Sequence, residues 1–334
     1  MSLENLDDEF RFLASDSARV GHTGPVPAVR RVSIALPDQR ILSALRFGAV
    51  GQPKSPTAEP GLEAIEFVLL HGMGLNAHSF DPTIIALGRP ALSVDVAGHG
   101  RSDWRADAAY LPQNLAADLV VAFDNLVTKP VVLVGHSLGA LTAILVAAQR
   151  PQLISALVLV DMTPGVSPEG DSASVTEFIA GQRTFDSIEE MVDRAIKFGI
   201  GHDRAALTRG VALNTRVRPD SKIEWAHHFA HLLPDPKAPQ SESSNESTPD
   251  LMAGLTDPKP FAPLWAVLEQ LPMPISLVRG ASAMVSQELV TEWHEHLPAA
   301  SVVTLETGHN VHEQDPVGLA RELAAVADSL DPRP

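Results

Sequence analysis

Short apolar runs alternate along this chain with longer stretches of helical periodicity. The runs cover residues 65–70, 91–96, 131–134, 156–160, 275–278 and 302–305. The helical stretches include 115–127, 138–149, 287–296 and 317–330. A run that is apolar at nearly every position, rather than every second one, belongs to a strand buried on both faces. Sheets of that kind are mostly parallel and carry helices on both sides. The pattern therefore predicts an α/β fold with a mostly parallel central sheet flanked by helices. Ahead of it, residues 32–36 and 41–45 are two β-like runs around Pro37-Asp38-Gln39, the signature of a hairpin. Residues 51–61, rich in Pro, Gly and polar side chains, predict an exposed loop.

One interval breaks the rhythm. From Met162 to about Leu271 no buried strand is evident, yet residues 188–198, 204–213 and 223–233 show helical spacing. The predicted division is a leader over 1–28, a core over 29–161 and 272–334, and a helical cap insertion over 162–271 lying on one edge of the sheet. Within the insertion, 234–249 is a Pro/Ser/Glu-rich stretch whose composition predicts mobility.

Charge and composition narrow the function classes. The 41 acidic against 25 basic residues give a net charge of −16, which repels phosphate backbones and anionic lipid surfaces. The absence of cysteine removes disulfides, thiolate metal sites and a cysteine nucleophile. The first fifteen residues are acidic and do not read as a signal peptide, and no apolar run reaches the ~18 residues of a membrane span. The expected compartment is cytoplasmic and the expected partner a small-molecule substrate, with no nucleic acid and no membrane; oligomeric state is not specified by the sequence.

The chemistry centres on Gly135-His136-Ser137-Leu138-Gly139, which joins an apolar run to a helical one. Strand, G-x-S-x-G, helix is the arrangement that lifts a serine hydroxyl to the carboxyl edge of a sheet, beside a helix N-terminus. A serine hydroxyl needs a base. His309, after the run 302–305 and preceded by Gly308, is the candidate among 13 histidines; His312, one helical turn on, reads as a supporting or surface residue. His71-Gly72-Met73-Gly74 follows another apolar run and offers backbone N–H groups to a developing oxyanion, Met73 N–H pairing with Leu138 N–H. Asp95-Val-Ala-Gly98-His99-Gly100-Arg101-Ser102 resembles the Asp-x-x-Gly-His-Gly-x-Ser stretch of the α/β-hydrolases, and the resemblance implies a structural loop near the site.

Four segments, 70–74, 95–102, 135–139 and 306–309, resemble in order the α/β-hydrolase superfamily, and they frame nearly the whole chain from residue 30 onwards. The resemblance implies a serine hydrolase with a helical cap. One position departs from the family. The loop after residue 278 reads Arg279-Gly-Ala-Ser-Ala-Met284, with Met284 where the triad acid commonly stands. Some members carry the acid one strand earlier, and Asp161 stands there. Asp161 is the expected third member, with Glu288 or a water-supported dyad as alternatives.

His227-His228-x-x-His231 offers i, i+4 spacing on an expected cap helix, yet lacks the glutamate and third ligand of a zinc motif, so no metal and no cofactor are expected. Met162, Trp225 and Met284 are expected to line an apolar substrate pocket. The expected activity is hydrolysis of an ester, thioester or lactone of a small, fairly apolar acid. Two alternatives stand beside it: cofactor-free non-hydrolytic or carbon–carbon cleaving chemistry, and a non-catalytic ligand-binding protein on the same scaffold.

Overall fold

The computed structural model describes residues 8–48, 64–167, 182–198, 203–232 and 259–330. The loop expected at 51–61 and the polar stretch at 234–249 lie outside these residues. The strands are β1 (Val29–Ala35), β2 (Ile41–Phe47), β3 (Phe67–Leu70), β4 (Ala91–Asp95), β5 (Val131–His136), β6 (Ile154–Val160), β7 (Thr184–Phe185), β8 (Thr215–Val217), β9 (Ile223–Trp225), β10 (Ile275–Gly280) and β11 (Ser301–Leu305). The helices are α1 (Leu13–Arg19), α2 (Asp81–Leu87), α3 (Pro112–Leu126), α4 (Leu138–Gln149), α5 (Ile188–Lys197), α6 (Arg204–Leu213), α7 (Phe229–Leu232), α8 (Leu264–Leu268), α9 (Gln287–His296), α10 (Val311–Gln314) and α11 (Pro316–Leu330).

The main sheet runs β1-β2-β4-β3-β5-β6-β10-β11. The hairpin strands β1 and β2 are antiparallel to each other, and β2 is antiparallel to β4. Every other pairing in the sheet is parallel. Successive strand residues feed opposite faces, as pleating demands. Val68, Leu133 and Leu159 pack on one side with Leu119 of α3, Ile144 of α4 and Trp293 of α9. Leu69, Val134 and Val158 pack on the other with Ile84 of α2 and Leu319 and Leu323 of α11. Both faces are dry, which is why the runs of β3, β5 and β6 are apolar throughout. The carboxyl ends of β3, β4, β5, β6, β10 and β11 share one edge, where open α/β sheets assemble their sites.

Between β6 and β10 the expectation of helices holds for α5 and α6. Ser187 caps α5 by accepting from the Glu190 N–H, and Asp203 caps α6 by accepting from Ala205 and Ala206. It fails at 223–233. Ile223–Trp225 is a strand in a small antiparallel sheet, β7-β9-β8, and the helix that follows is only Phe229–Leu232. The turn at Pro219-Asp220-Ser221, where Ser221 takes φ 60°, closes β8 onto β9. The helical spacing read there was the coincidence of a short strand and a single helical turn.

The helix α1 is fastened down. Asp16 of α1 is buried and pairs with Arg209 of α6 at 2.7 Å; Arg209 also reaches Asp81 of α2 at 3.3 Å and the His78 carbonyl at 3.1 Å. One guanidinium thus joins α1, α6 and α2.

Candidate active site

β5 ends at His136 and α4 begins at Leu138, so one residue makes the whole reversal. Ser137 takes φ 54° and ψ −122°, a conformation costly for an L residue. The turn is tight enough that a Cβ on Gly135 would overlap the Gly139 backbone, and a Cβ on Gly139 would overlap the Leu70 carbonyl. The Ser137 N–H donates to the Val160 carbonyl at 3.2 Å, and its own carbonyl accepts from Ala140 at 2.9 Å. The strained apex is therefore pinned to β6 and to α4.

Asp161 ends β6 in a second strained conformation, φ 47°, and is fully buried. One oxygen accepts the Gly280 N–H at 3.2 Å. The other accepts the Met284 N–H at 3.1 Å and faces His309 Nδ1 at 2.7 Å. A carboxylate so placed favours the tautomer with the proton on Nδ1 and the lone pair on Nε2. Met284, standing where the family commonly has its acid, contributes its peptide N–H to the acid on the neighbouring strand. Glu288, the alternative, is exposed in the first turn of α9, and its pKa is lowered first by the Ser286 hydroxyl.

His136 brings the serine and histidine segments together. Its Nε2–H donates to the His309 carbonyl at 2.9 Å, and its ring lies 4.5 Å from that of His309. Complete burial holds its pKa well below the usual imidazole range, so it is a neutral donor. His312 is no surface residue. It is fully buried, 4.8 Å from Phe80 and 4.5 Å from His136, and burial, reinforced by His309, lowers its pKa to about 3.

The loop 71–74 is organised by two more neutral imidazoles. His71 Nδ1–H donates to the Gly72 carbonyl at 2.8 Å while its Nε2 accepts from Val96 at 3.1 Å. His99 Nδ1–H donates to Ala97 at 3.2 Å while its Nε2 accepts from Gly74 at 3.0 Å. Burial lowers both pKa values. Asp95 is spent on structure: Arg31 reaches it at 2.7 Å, and it accepts from Ala77 at 2.7 Å and Arg101 at 3.1 Å. Sequence reasoning passed over His99 and His136 as partners because the bonds that tie them to the site run to backbone atoms 25 and 173 residues away. For His136 the glycine facing it was the available signal: a Cβ on Gly72 would sit 2.8 Å from His136 Nδ1.

Met162 is buried directly after Asp161; Trp225 is buried on β9, edge-on to Phe185 at 6.0 Å; Met284 is half-buried at the rim of the same core. The His227-His231 spacing does not build one face, because His227 and His228 precede α7. His227 Nδ1 accepts from Ala230, His228 Nδ1 accepts from the Tyr110 hydroxyl at 2.7 Å, and His231 Nε2 bonds the Trp225 carbonyl at 3.2 Å. Among the described residues no group of three His, Asp or Glu is arranged to hold a metal ion. Nor is any described helix long and apolar enough to cross a membrane.

A mostly parallel sheet with a serine at its strained strand–helix turn, and a His–Asp pair on loops at the same sheet edge, defines an α/β-hydrolase. The family profile matches residues 67–322, and the chain belongs to the α/β-hydrolase family; it is an enzyme of the hydrolase class. It is 32% identical over 331 residues to esterase Rv0045c of Mycobacterium tuberculosis, spanning 96% of each chain. A solved structure of that esterase superposes with a TM-score of 0.76, covering 96% of this chain and 99% of the other. The 3-hydroxybutyrate-oligomer hydrolase of Cupriavidus necator is 27% identical, over 84% of this chain and 91% of its own.

Proposed function

We propose that the protein is a serine esterase acting on a small, fairly apolar ester, thioester or lactone, with residues 162–271 as the cap over its site. The observation that carries this reading is the 2.7 Å bond between His309 Nδ1 and the buried Asp161, on a histidine whose carbonyl is bonded by His136, the residue before Ser137. Ser137 Oγ attacks the acyl carbonyl carbon while His309 Nε2 takes its proton. Met73 and Leu138 N–H groups receive the oxyanion; Leu138, as the first residue of α4, has no partner for its N–H within the helix. Collapse expels the alcohol, which regains the proton from His309. Water, activated by the same imidazole, then releases the acid. Met162, Trp225 and Met284 line the acyl side. The similarity to esterase Rv0045c supports the same class of bond. Position 284 holds no acid, and the Asp161 carboxylate bonded to His309 Nδ1 supports the catalytic reading over a non-catalytic scaffold.

The test is labelling with a serine-directed fluorophosphonate together with turnover of p-nitrophenyl acetate. Labelling confined to Ser137, with turnover, is the expected result. Labelling without turnover across an ester panel would place the substrate outside the esters, and no labelling at Ser137 would overturn the nucleophile assignment.

A further inference from the structure

Asn214 closes α6 and is buried. Its Nδ2 donates to the Gly74 carbonyl, and its Oδ1 accepts from Asn76 Nδ2 at 3.3 Å, which fixes the orientation of the amide. Asn76 Nδ2 also donates to the Leu213 carbonyl at 3.1 Å, and Asn76 Oδ1 accepts from His78 N–H at 2.9 Å. The Gly74 carbonyl belongs to the peptide whose other end is the Leu75 N–H. That N–H donates to the Gly72 carbonyl at 3.2 Å. The Gly72 carbonyl in turn belongs to the peptide whose other end is the Met73 N–H. In a trans peptide the C=O and N–H point in opposite directions. The bonds therefore line up head to tail from the Asn214 amide through two peptide units to the Met73 N–H.

We propose that Asn214 is a positioning residue for the oxyanion hole, aiming the Met73 N–H through this two-peptide chain. The inference rests on the esterase reading given above. Two effects follow from the geometry. The plane of the Gly72–Met73 peptide is fixed by what its carbonyl accepts, namely the Leu75 N–H and the His71 Nδ1–H. Aligned hydrogen bonds also polarise one another, so a donor at the head of the chain strengthens the donor at its tail. On the core side the Gly74 N–H is held by His99. One residue of the loop is thus gripped from two sides, by His99 on the loop after β4 and by Asn214 from the stretch between β6 and β10. Seating that stretch on the core and forming the oxyanion donor become a single event. Asn214 touches no reacting atom. Its effect reaches the chemistry only through the backbone.

The experiment compares the full chain with Asn214→Ala and the isosteric Asn214→Asp, which keeps the acceptor for Asn76 and sets a carboxylate against the Gly74 carbonyl. Circular dichroism and thermal melting establish that the variants are folded. The readouts are kcat and KM for p-nitrophenyl acetate, and inhibition by a trifluoromethyl ketone, whose serine adduct carries the oxyanion. Removing a direct oxyanion donor costs about 10^2–10^3 in kcat, so losing its aim should cost about tenfold or more. The expected result is a fall in kcat with KM held within about twofold, and ketone affinity weakened by the same factor as kcat/KM. The Asp variant should be the worse of the two. The inference is overturned if either folded variant keeps wild-type kcat and ketone affinity, or if the loss lies in KM alone. A wild-type chain that neither turns over the ester nor binds the ketone would overturn the esterase reading, and the inference with it.

Discussion

Two residues in the site hold backbone conformations that side chains normally avoid, Ser137 at φ 54° and Asp161 at φ 47°. Each is over-determined by bonds from a neighbouring strand: Ser137 N–H donates to Val160, and Asp161 N–H donates to Val278 at 2.8 Å. Removing the hydroxyl should leave this scaffold intact. Ser137→Ala is expected to lower ester turnover by about 10^4-fold or more without changing the melting temperature; near-wild-type turnover would refute the nucleophile assignment. Asp161→Asn keeps the size of the side chain but offers an uncharged amide to His309, and turnover should fall by up to about 10^4-fold. Tolerance of asparagine would move the acid elsewhere. Ser137, His309 and Asp161 were legible in the sequence because each sits at the end of an apolar strand, a position that local pattern identifies. Asn214 and His99 were not, because their partners are peptide groups 140 and 25 residues away, and no spacing records such a bond.

The core elements were readable for a physical reason: strands buried on both faces leave continuous apolar runs, and α4 and α9 begin and end where the helical spacing does. The three-stranded sheet β7-β9-β8 was not, since two- or three-residue strands are too short to show a period. The docking of α1 was equally hidden, because it depends on a long-range ion pair. Burial lifts the Asp16 carboxyl above its usual pKa despite the adjacent Arg209, so desolvation outweighs attraction in that pair. Breaking it by Arg209→Ala would leave Asp16 buried and unpaired, and should cost about 3–5 kcal/mol in urea unfolding. The double variant Asp16→Leu/Arg209→Met should recover most of that loss. If the single variant is neutral, α1 is not anchored by this contact.

Across the whole molecule, stability should follow the histidines. His227 and His312 are fully buried and held to a pKa of about 3, both chiefly by burial. An unfolded chain would protonate them near the ordinary imidazole value of about 6.5. Below that pH the unfolded state binds more protons than the folded one, so stability falls as pH drops toward 3. These two residues alone set a slope of about 2.6 kcal/mol per pH unit near pH 5. His78 has the opposite sign. Burial alone would lower its pKa, but Asp81 and Glu9 lift it to about 9. Its contribution is complete below about 6.5 and is lost as pH rises through 9. The melting temperature should peak between neutrality and pH 8 and decline on both sides, more steeply in acid. A melting temperature flat from pH 7 down to 5 would contradict the buried, neutral state of His227 and His312.

The division of labour at the acid has a consequence for how this catalyst can diversify. Asp161 is rooted in a central strand, while the loop from Ala281 to Ser286 lends it a single peptide N–H, that of Met284. Side chains on that loop are released from proton chemistry, and the loop becomes a free surface on which selectivity can drift without cost to turnover. A library randomised at Ala281, Ser282 and Met284 should retain active members of altered ester preference in large numbers. Proline at position 284, which has no N–H to give, should be missing from every one of them.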